Sequence, residues 1–97
     1  YSIELIDLRS LSPIDWPTIH ASVQKTGRAL IVQEAPLTLG LASEIITRIM
    51  EKNFLQLKAP VERVTGFDTI MPLYKLENYY LPSVERVKAS IRKAMQF

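Results

Sequence analysis

The stretch that decides the fold is ALIVQEAPLTLGLASEIITRIMEKN, residues 29–53. It opens with an unbroken apolar run, Ala29 to Val32, which is typical of a strand covered on both faces. From about Leu39 to Asn53 the apolar residues recur at helical spacing, which predicts an amphipathic helix with Thr38 as its N-cap. A strand that leads directly into a helix favours an α/β arrangement.

Further strands and helices lie on both sides of this unit. Downstream, Val61 to Val64 predicts a short strand, and a last helix is expected from Pro82. Upstream, the alternating aliphatic residues of Ser2 to Leu8 predict a first strand. Ser12 is expected to cap a helix that ends at Gly27, because glycine can adopt the left-handed conformation that closes a helix. This order predicts a mainly parallel sheet with helices on its faces.

Composition limits the classes of function. The chain has 97 residues, a net charge of +2 and a hydrophobic fraction of 47%, which indicates one small globular domain or part of one. It has no cysteine, which excludes disulfides and thiolate metal sites and fits a reducing compartment. No apolar run approaches the roughly 18–20 residues of a membrane helix, and no leader opens the chain. We therefore expect a soluble protein with no membrane partner.

The residue pattern predicts no catalytic, cofactor-binding or metal-ligating set. His20 is the only histidine and falls within a helix, where a packing or solvent-facing role is favoured. Gly40 is expected to be a plain helix cap, although a helix N-terminus can bind an anion. Glu34 is expected to pair with a nearby base or cap a turn. Asp68, in the segment RVTGFDTIMP at residues 63–72, is expected to accept hydrogen bonds from backbone N–H groups just ahead of it.

The last helix carries a basic face that could suggest a nucleic-acid partner. It lacks interleaved aromatic residues and Glu85 interrupts it. Cations near a helix C-terminus are favoured by the helix dipole in any case, so a solvated face is the better interpretation. The aromatic residues Tyr79, Tyr80 and Phe97 are instead candidates for anchoring a protein partner.

Six blocks resemble, in order and along the whole chain, one known family. The blocks are IDLRSLSPID (6–15), KTGRALIVQEAP (25–36), ASEI (42–45), APVERVTGFDT (59–69), Pro72 and YYLP (79–82). They are similar to the C-terminal, transketolase-type domain of the β subunit of the thiamine-diphosphate-dependent first component of 2-oxo acid dehydrogenase complexes. That resemblance implies a three-layer α/β/α fold. In the family two strands precede the position of Tyr1, so residues 1–97 are expected to be a partial domain that lacks a central strand.

The resemblance also implies the function of the parent enzyme. Such enzymes are α2β2 tetramers that oxidatively decarboxylate a 2-oxo acid and pass the acyl group to a lipoyl group on an acyltransferase. Thiamine diphosphate and magnesium lie between the α subunit and the N-terminal domain of the β subunit. This chain is therefore expected to bind neither and to be a non-catalytic part of an enzyme in the bacterial cytoplasm. Its expected partners are the α subunit, a second β subunit and the subunit-binding domain of the acyltransferase.

Two residues are predicted to receive that subunit-binding domain. The domain is basic in the family, so carboxylates should meet it, and the main-chain carboxylate of Phe97 and the side chain of Glu62 are the candidates. Many relatives carry an acidic residue immediately before the Ala-Pro pair that matches Ala59 and Pro60. This chain has Lys58 at that position, so its docking is expected to differ.

Alternatives remain for the substrate and for the role of the chain. KTGRALIVQEA and the final MQF look like pyruvate-type members, which we favour, whereas EAPLT also looks like the branched-chain type. A stand-alone interaction module without catalysis is the second reading. Because a missing central strand would expose apolar strand edges, the chain is expected to belong to a longer polypeptide or to self-associate.

Overall fold

A computed structural model of the chain describes residues 1–68 and 80–97. These residues form three α-helices, one 3₁₀ turn and two strands. In chain order they are α1 (Trp16–Thr26), β1 (Leu30–Pro36), α2 (Leu41–Asn53), the 3₁₀ turn (Phe54–Gln56), β2 (Glu62–Gly66) and α3 (Val84–Met95).

The two strands pair in parallel, and α2 is the crossover between them. Leu30 lies opposite Glu62 and Val32 opposite Val64. The predicted α/β class and the parallel sheet are confirmed. The expectation that the first of these strands is covered on both faces is wrong within the described residues, because Val32 is 51% exposed.

The strand predicted from Ser2 to Leu8 is absent, and residues 1–10 have no regular secondary structure. A strand needs a neighbour to accept and donate its backbone hydrogen bonds. Among the described residues no strand adjoins this segment, so Ile3 and Leu5 are 63% and 90% exposed. Only Leu8, at the end of the segment, packs against the core.

Helix α1 begins with a different cap from the one predicted. Asp15, rather than Ser12, caps it: the Thr18 N–H donates to Oδ1 of Asp15 at 3.3 Å and the Thr18 hydroxyl donates to Oδ2 at 2.7 Å. The predicted end at Gly27 is confirmed. Gly27 has φ of 76° and its N–H donates to the Val23 carbonyl at 2.8 Å.

Helix α2 receives its cap from the neighbouring strand. Gln33 of β1 accepts the N–H of Ala42 on its Oε1 at 2.8 Å, so the predicted cap at Thr38 is wrong. Gly40 leaves room for this contact. A Cβ at that position would lie 2.2 Å from Nε2 of Gln33 and 2.6 Å from the carbonyl oxygen of Pro36.

The main core lies between α1 and α2. Four residues form it, Ile19 and Val23 on α1 and Ile45 and Ile49 on α2, and Ile49 is only 1% exposed. Partly buried residues from β1 and from the segment before β2 close it. Leu41, Ile45 and Ile49 of the apolar stripe predicted along α2 therefore face the core, whereas Met50 of the same stripe is 42% exposed.

Helix α3 packs against both strands, beside a buried tyrosine. Tyr80 is 6% exposed, and its ring lies against Gly66, where a Cβ would be 2.6 Å from Cζ. Nη2 of Arg86 donates to the carbonyl of Thr65 at 2.6 Å, and its guanidinium stacks over the ring of Phe67 at 4.8 Å. Tyr80 is thus part of the interior rather than a partner anchor.

Two further expectations from the sequence concern Tyr79 and membrane-spanning helices. Tyr79, the second proposed anchor, lies outside the described residues. No helix in residues 1–68 and 80–97 is long and apolar enough to cross a membrane.

Candidate functional site

The two residues predicted to bind a partner, Phe97 and Glu62, lie on one surface beside the last turn of α3. Lys93 in that turn places its Nζ 3.5 Å from Oε1 of Glu62. Arg28, just before β1, donates from Nη2 to the carbonyl oxygen of Phe97 at 2.9 Å. We call these four residues the C-terminal surface.

Backbone hydrogen bonds around the start of the sheet position this surface. The N–H of Lys58 donates to the carbonyl of Gly27 at 2.8 Å, and the N–H of Glu62 donates to that of Ala29 at 3.1 Å. The turn after α1 therefore lies beside the segment that enters β2. Arg28 sits between these two hydrogen bonds, with its side chain on the end of α3.

The members of the C-terminal surface differ in how much they offer a partner. Phe97 is 65% exposed, so its ring is accessible. The side chain of Glu62 is 15% exposed and its carboxylate is already paired with Lys93. Phe97 is therefore the stronger candidate for partner binding, and both assignments stay predictions.

The charged groups of this surface already have partners. Nζ of Lys93 lies 3.5 Å from the Glu62 carboxylate, and Arg28 donates to the main-chain oxygen of Phe97. The exposed Lys58 lies beside Gly27, the residue before Arg28, since its Cδ would be 3.0 Å from a Cβ built at Gly27.

His20 has a structural role, as the sequence indicated. Its Nδ1 lies 2.7 Å from Oδ1 of Asn53, and Nδ2 of Asn53 donates to the His20 carbonyl at 3.1 Å. The ring also stacks on Trp16 with centroids 6.1 Å apart. His20 and Asn53 therefore tie α1 to the end of α2.

Asp68 links two loops at the carboxyl ends of the strands. Its carboxylate accepts hydrogen bonds from the hydroxyl of Thr38 and, at 2.8 Å, from the N–H of Thr38. The pKa of Asp68 is lowered because these donors, first the hydroxyl and then the N–H, stabilise the charged form. The partners expected from the sequence, N–H groups just ahead of Asp68, fall from residue 69 onward and lie outside the described residues.

The other carboxylate that the sequence singled out, Glu34, is exposed. It forms no ion pair with any residue of the described ranges. Gly40 acts as a helix cap, in agreement with the plain reading. In the described part of the chain, no group of three or more histidine, aspartate or glutamate residues could hold a metal ion.

Sequence reasoning missed Arg28. A signal was present: an arginine follows the helix-ending Gly27 and precedes the apolar strand, while the last carbonyls of any helix need donors. That Arg28 would reach the end of α3 depends on a contact 66 to 69 residues along the chain. Local patterns do not contain that information.

The transketolase C-terminal domain family matches residues 1–87. This chain belongs to that family. The resemblance found in the six sequence blocks is confirmed, and the family accounts for the helices and parallel strands described above.

Individual relatives agree with this placement. The β subunit of the pyruvate dehydrogenase E1 component of Leifsonia xyli is 46% identical over 96 residues, which are 99% of this chain and 28% of that protein. The 3-methyl-2-oxobutanoate dehydrogenase subunit β of Mycobacterium tuberculosis is 44% identical over the same shares of both chains. The pyruvate dehydrogenase E1 β subunit of Staphylococcus aureus is 42% identical over 100% of this chain and 30% of that protein. The chain therefore spans less than a third of the length of these relatives.

Proposed function

We propose that this chain is the C-terminal domain of the β subunit of a 2-oxo acid dehydrogenase, and that it serves assembly and docking. The observation that carries the proposal is similarity to such β subunits along essentially the whole chain. The C-terminal surface supports it, because it offers an exposed aromatic ring at the end of a helix that is anchored to the sheet. The enzymatic activity belongs to the assembled parent enzyme.

The substrate we favour is pyruvate, with a branched-chain 2-oxo acid as the alternative. Pyruvate-type resemblance in KTGRALIVQEA supports the first, and EAPLT supports the second. The relatives named for pyruvate and for 3-methyl-2-oxobutanoate differ by only a few percent in identity to this chain. The substrate is determined by measuring the turnover of the full-length tetramer with pyruvate and with a branched-chain 2-oxo acid.

Thiamine diphosphate and magnesium are proposed for the parent enzyme only. The described residues do not fit these groups, because they hold no cluster of metal-ligating side chains. The polar groups at the carboxyl ends of the strands are already engaged: Asp68 with Thr38, and Arg63 with the Leu37 carbonyl and the Ser43 hydroxyl. No catalytic step is assigned to this chain.

The partners proposed are the α subunit, a second β subunit and the small subunit-binding domain of the acyltransferase. For the last of these we assign the main-chain carboxylate of Phe97 as the principal contact and the side chain of Glu62 as a lesser one. The exposure of Phe97 supports this ranking. A bacterial cytoplasmic location is part of the same proposal and is supported by the bacterial origin of the relatives.

Docking is tested on the full-length β subunit assembled with its α subunit. The affinity of the tetramer for the purified subunit-binding domain is measured by calorimetry for the unaltered enzyme and for Phe97→Ala. We expect a loss of about tenfold or more, because an exposed aromatic anchor at an interface often dominates binding. Phe54→Ala is the matched control, since Phe54 is 61% exposed on a different part of the molecule, after α2. Equal affinity of the Phe97→Ala variant would show that the ring takes no part in docking, and deletion of Phe97 tests the main-chain carboxylate, which the alanine variant keeps.

A stand-alone interaction module is the second candidate. Its support is the exposed Phe97 together with the lack of a metal-ligand cluster in the described ranges. Pull-down with the full-length chain from its own cell lysate separates the two. Capture of an α subunit and an acyltransferase supports the dehydrogenase, whereas capture of neither favours the module.

A further inference from the structure

Arg28 holds the end of α3. Its Nε donates to the carbonyl of Ala94 at 3.0 Å and its Nη2 donates to that of Phe97 at 2.9 Å. The last carbonyls of a helix have no partner within the helix, so the bond to Ala94 satisfies a group that water would otherwise solvate. The bond to Phe97 holds the chain two residues beyond Met95, where α3 ends. The planar fork of an arginine suits two acceptors at once, and its charge suits the negative end of the helix dipole.

The anchor is itself fixed by the body of the domain. The Thr26 hydroxyl lies 2.9 Å from the carbonyl oxygen of Ser22 and 3.1 Å from that of Arg28, so its one proton is shared between them. Gly27, the residue before Arg28, is buried and held by the hydrogen bond from Lys58. Arg28 therefore extends from a rigid junction between α1 and β1.

Few other contacts hold the last turn of α3. Ala94 is the only residue of this helix that is buried, at 6% exposure, and Met95 is 37% exposed. The ion pair of Lys93 with Glu62 is exposed on the lysine side, and such pairs contribute little. Without Arg28, the turn would keep the Ala94 contact and a weak ion pair, so its end would fray.

We propose that Arg28 is a positioning residue for partner binding: it fixes the last turn of α3 in the geometry that presents Phe97. The docking part of this inference rests on the proposed function, while the ordering of the turn does not. A preformed turn loses less conformational entropy on binding than a frayed one, so the partner binds more tightly.

Ordering of the turn is tested by amide hydrogen exchange in the full-length tetramer without the partner. The reporter is the N–H of Gln96, which donates to the carbonyls of Arg92 and Lys93 at 3.1 and 3.3 Å. We expect Arg28→Ala to speed its exchange by about tenfold or more, because the local opening costs less. Arg92→Ala is the matched control, since it removes an exposed arginine from the same turn. Unchanged exchange in Arg28→Ala would overturn the proposal.

Binding of the subunit-binding domain tests the consequence. We expect Arg28→Ala to weaken affinity by about tenfold, mainly through faster dissociation, and Arg28→Lys to recover part of it because the charge returns without the fork. In a double-mutant cycle, Arg28→Ala should cost much less when Phe97 is already alanine, since the two residues act together. Full additivity of the two changes would overturn the proposal. Thermal unfolding and the mass of each tetramer verify that the variants are folded.

The outcomes separate the two ideas. An unaltered tetramer that does not bind the domain contradicts the proposed docking function. If the unaltered tetramer binds the domain, and the Arg28→Ala and Arg28→Lys tetramers bind it with the same affinity as the unaltered one, the role of Arg28 is contradicted.

Discussion

Asp68 shows how one side chain can join two loops of a small α/β domain. It follows β2, and its carboxylate accepts two hydrogen bonds from Thr38, which follows β1. The sequence correctly indicated a structural carboxylate. It could not identify Thr38 as the donor, because that contact spans 30 residues and depends on the parallel pairing of the strands.

The lowered pKa of Asp68 makes its contribution to stability depend on pH. Because the folded-state pKa lies below the unfolded value of about 3.9, the contribution is present above that value and is lost as pH falls through the folded-state pKa. We expect Asp68→Asn to lower the Tm of the full-length enzyme by a few degrees at pH 7. The difference in Tm between the variant and the unaltered enzyme should narrow once the pH falls below about 4.

Thermal unfolding at a series of pH values checks this, with Glu51→Gln as a control on an exposed carboxylate. A difference in Tm that stays constant down to about pH 2 would contradict the assignment. Asp68→Ala should leave the affinity of the tetramer for thiamine diphosphate unchanged, since the described contacts of Asp68 are with Thr38. A change in that affinity without loss of stability would refute the structural role.

Lys58 is the residue whose charge is expected to weaken docking of a basic partner. It is exposed beside Gly27, the residue before Arg28. We expect Lys58→Glu to raise affinity for the subunit-binding domain several-fold, mainly through faster association and more strongly at low salt. Lys52→Glu on α2 controls for the change in net charge. Equal effects of the two variants would show that Lys58 has no specific position at the interface.

At the scale of the elements, helix ends were the least predictable feature. The left-handed close of α1 at Gly27 could be predicted, because glycine is the residue that adopts this conformation most easily. The cap of α2 could not be predicted, because Gln33 lies on the neighbouring strand and reaches Ala42 only once the strand and helix have packed. Local sequence favoured Thr38, which bonds to Asp68 instead.

Gln33 should therefore stabilise α2 as a cap does. We expect Gln33→Ala to lower the free energy of unfolding by about 1 kcal/mol, the usual cost of losing an N-cap side chain. Gln24→Ala, at an exposed position of α1, is the control. Chemical denaturation of both variants measures the difference, and equal midpoints would mean that water replaces the Gln33 acceptor at no cost.

At the scale of the whole molecule, the segment before α1 stands apart from the rest. Tyr1 and Leu5 are 80% and 90% exposed, and the predicted strand from Ser2 to Leu8 does not form. Strand β1 pairs only with β2 among the described residues. An open strand edge with exposed apolar side chains favours pairing with a strand from another polypeptide or from another part of the same one.

We therefore predict that a polypeptide of residues 1–97 alone self-associates. Light scattering coupled to size exclusion should give a mass above that of one 11.1 kDa chain, increasing with concentration. In the full-length β subunit the amides of Ser2 to Leu8 should instead be protected from exchange, as expected of a paired strand. A monodisperse monomer with well-dispersed amide resonances would contradict self-association.

The sequence predicted the α/β class, the parallel strands and the three helices, because hydrophobic periodicity and glycine positions depend only on residues that are close in the sequence. The first strand was predicted from equally good periodicity and did not form, because a strand also requires a neighbour. Phe97 and Glu62 were predicted individually through the resemblance, and the structure places a basic residue beside each: Arg28 donates to Phe97, and Lys93 pairs with Glu62. The contact of Arg28 with the end of α3 could be found only from the folded chain.

The contact of Tyr80 with Gly66 has a consequence for how this domain can change over evolution. A methyl group at residue 66 would lie 2.4 Å from the Glu34 carbonyl and 2.6 Å from the tyrosine ring, so neither the backbone of β1 nor the ring leaves room for it. Any lineage that acquires a larger residue at position 66 must therefore both move the Glu34 backbone of β1 and shorten or displace the side chain at position 80. The two positions should covary among homologues, with tyrosine at 80 occurring only where 66 is glycine.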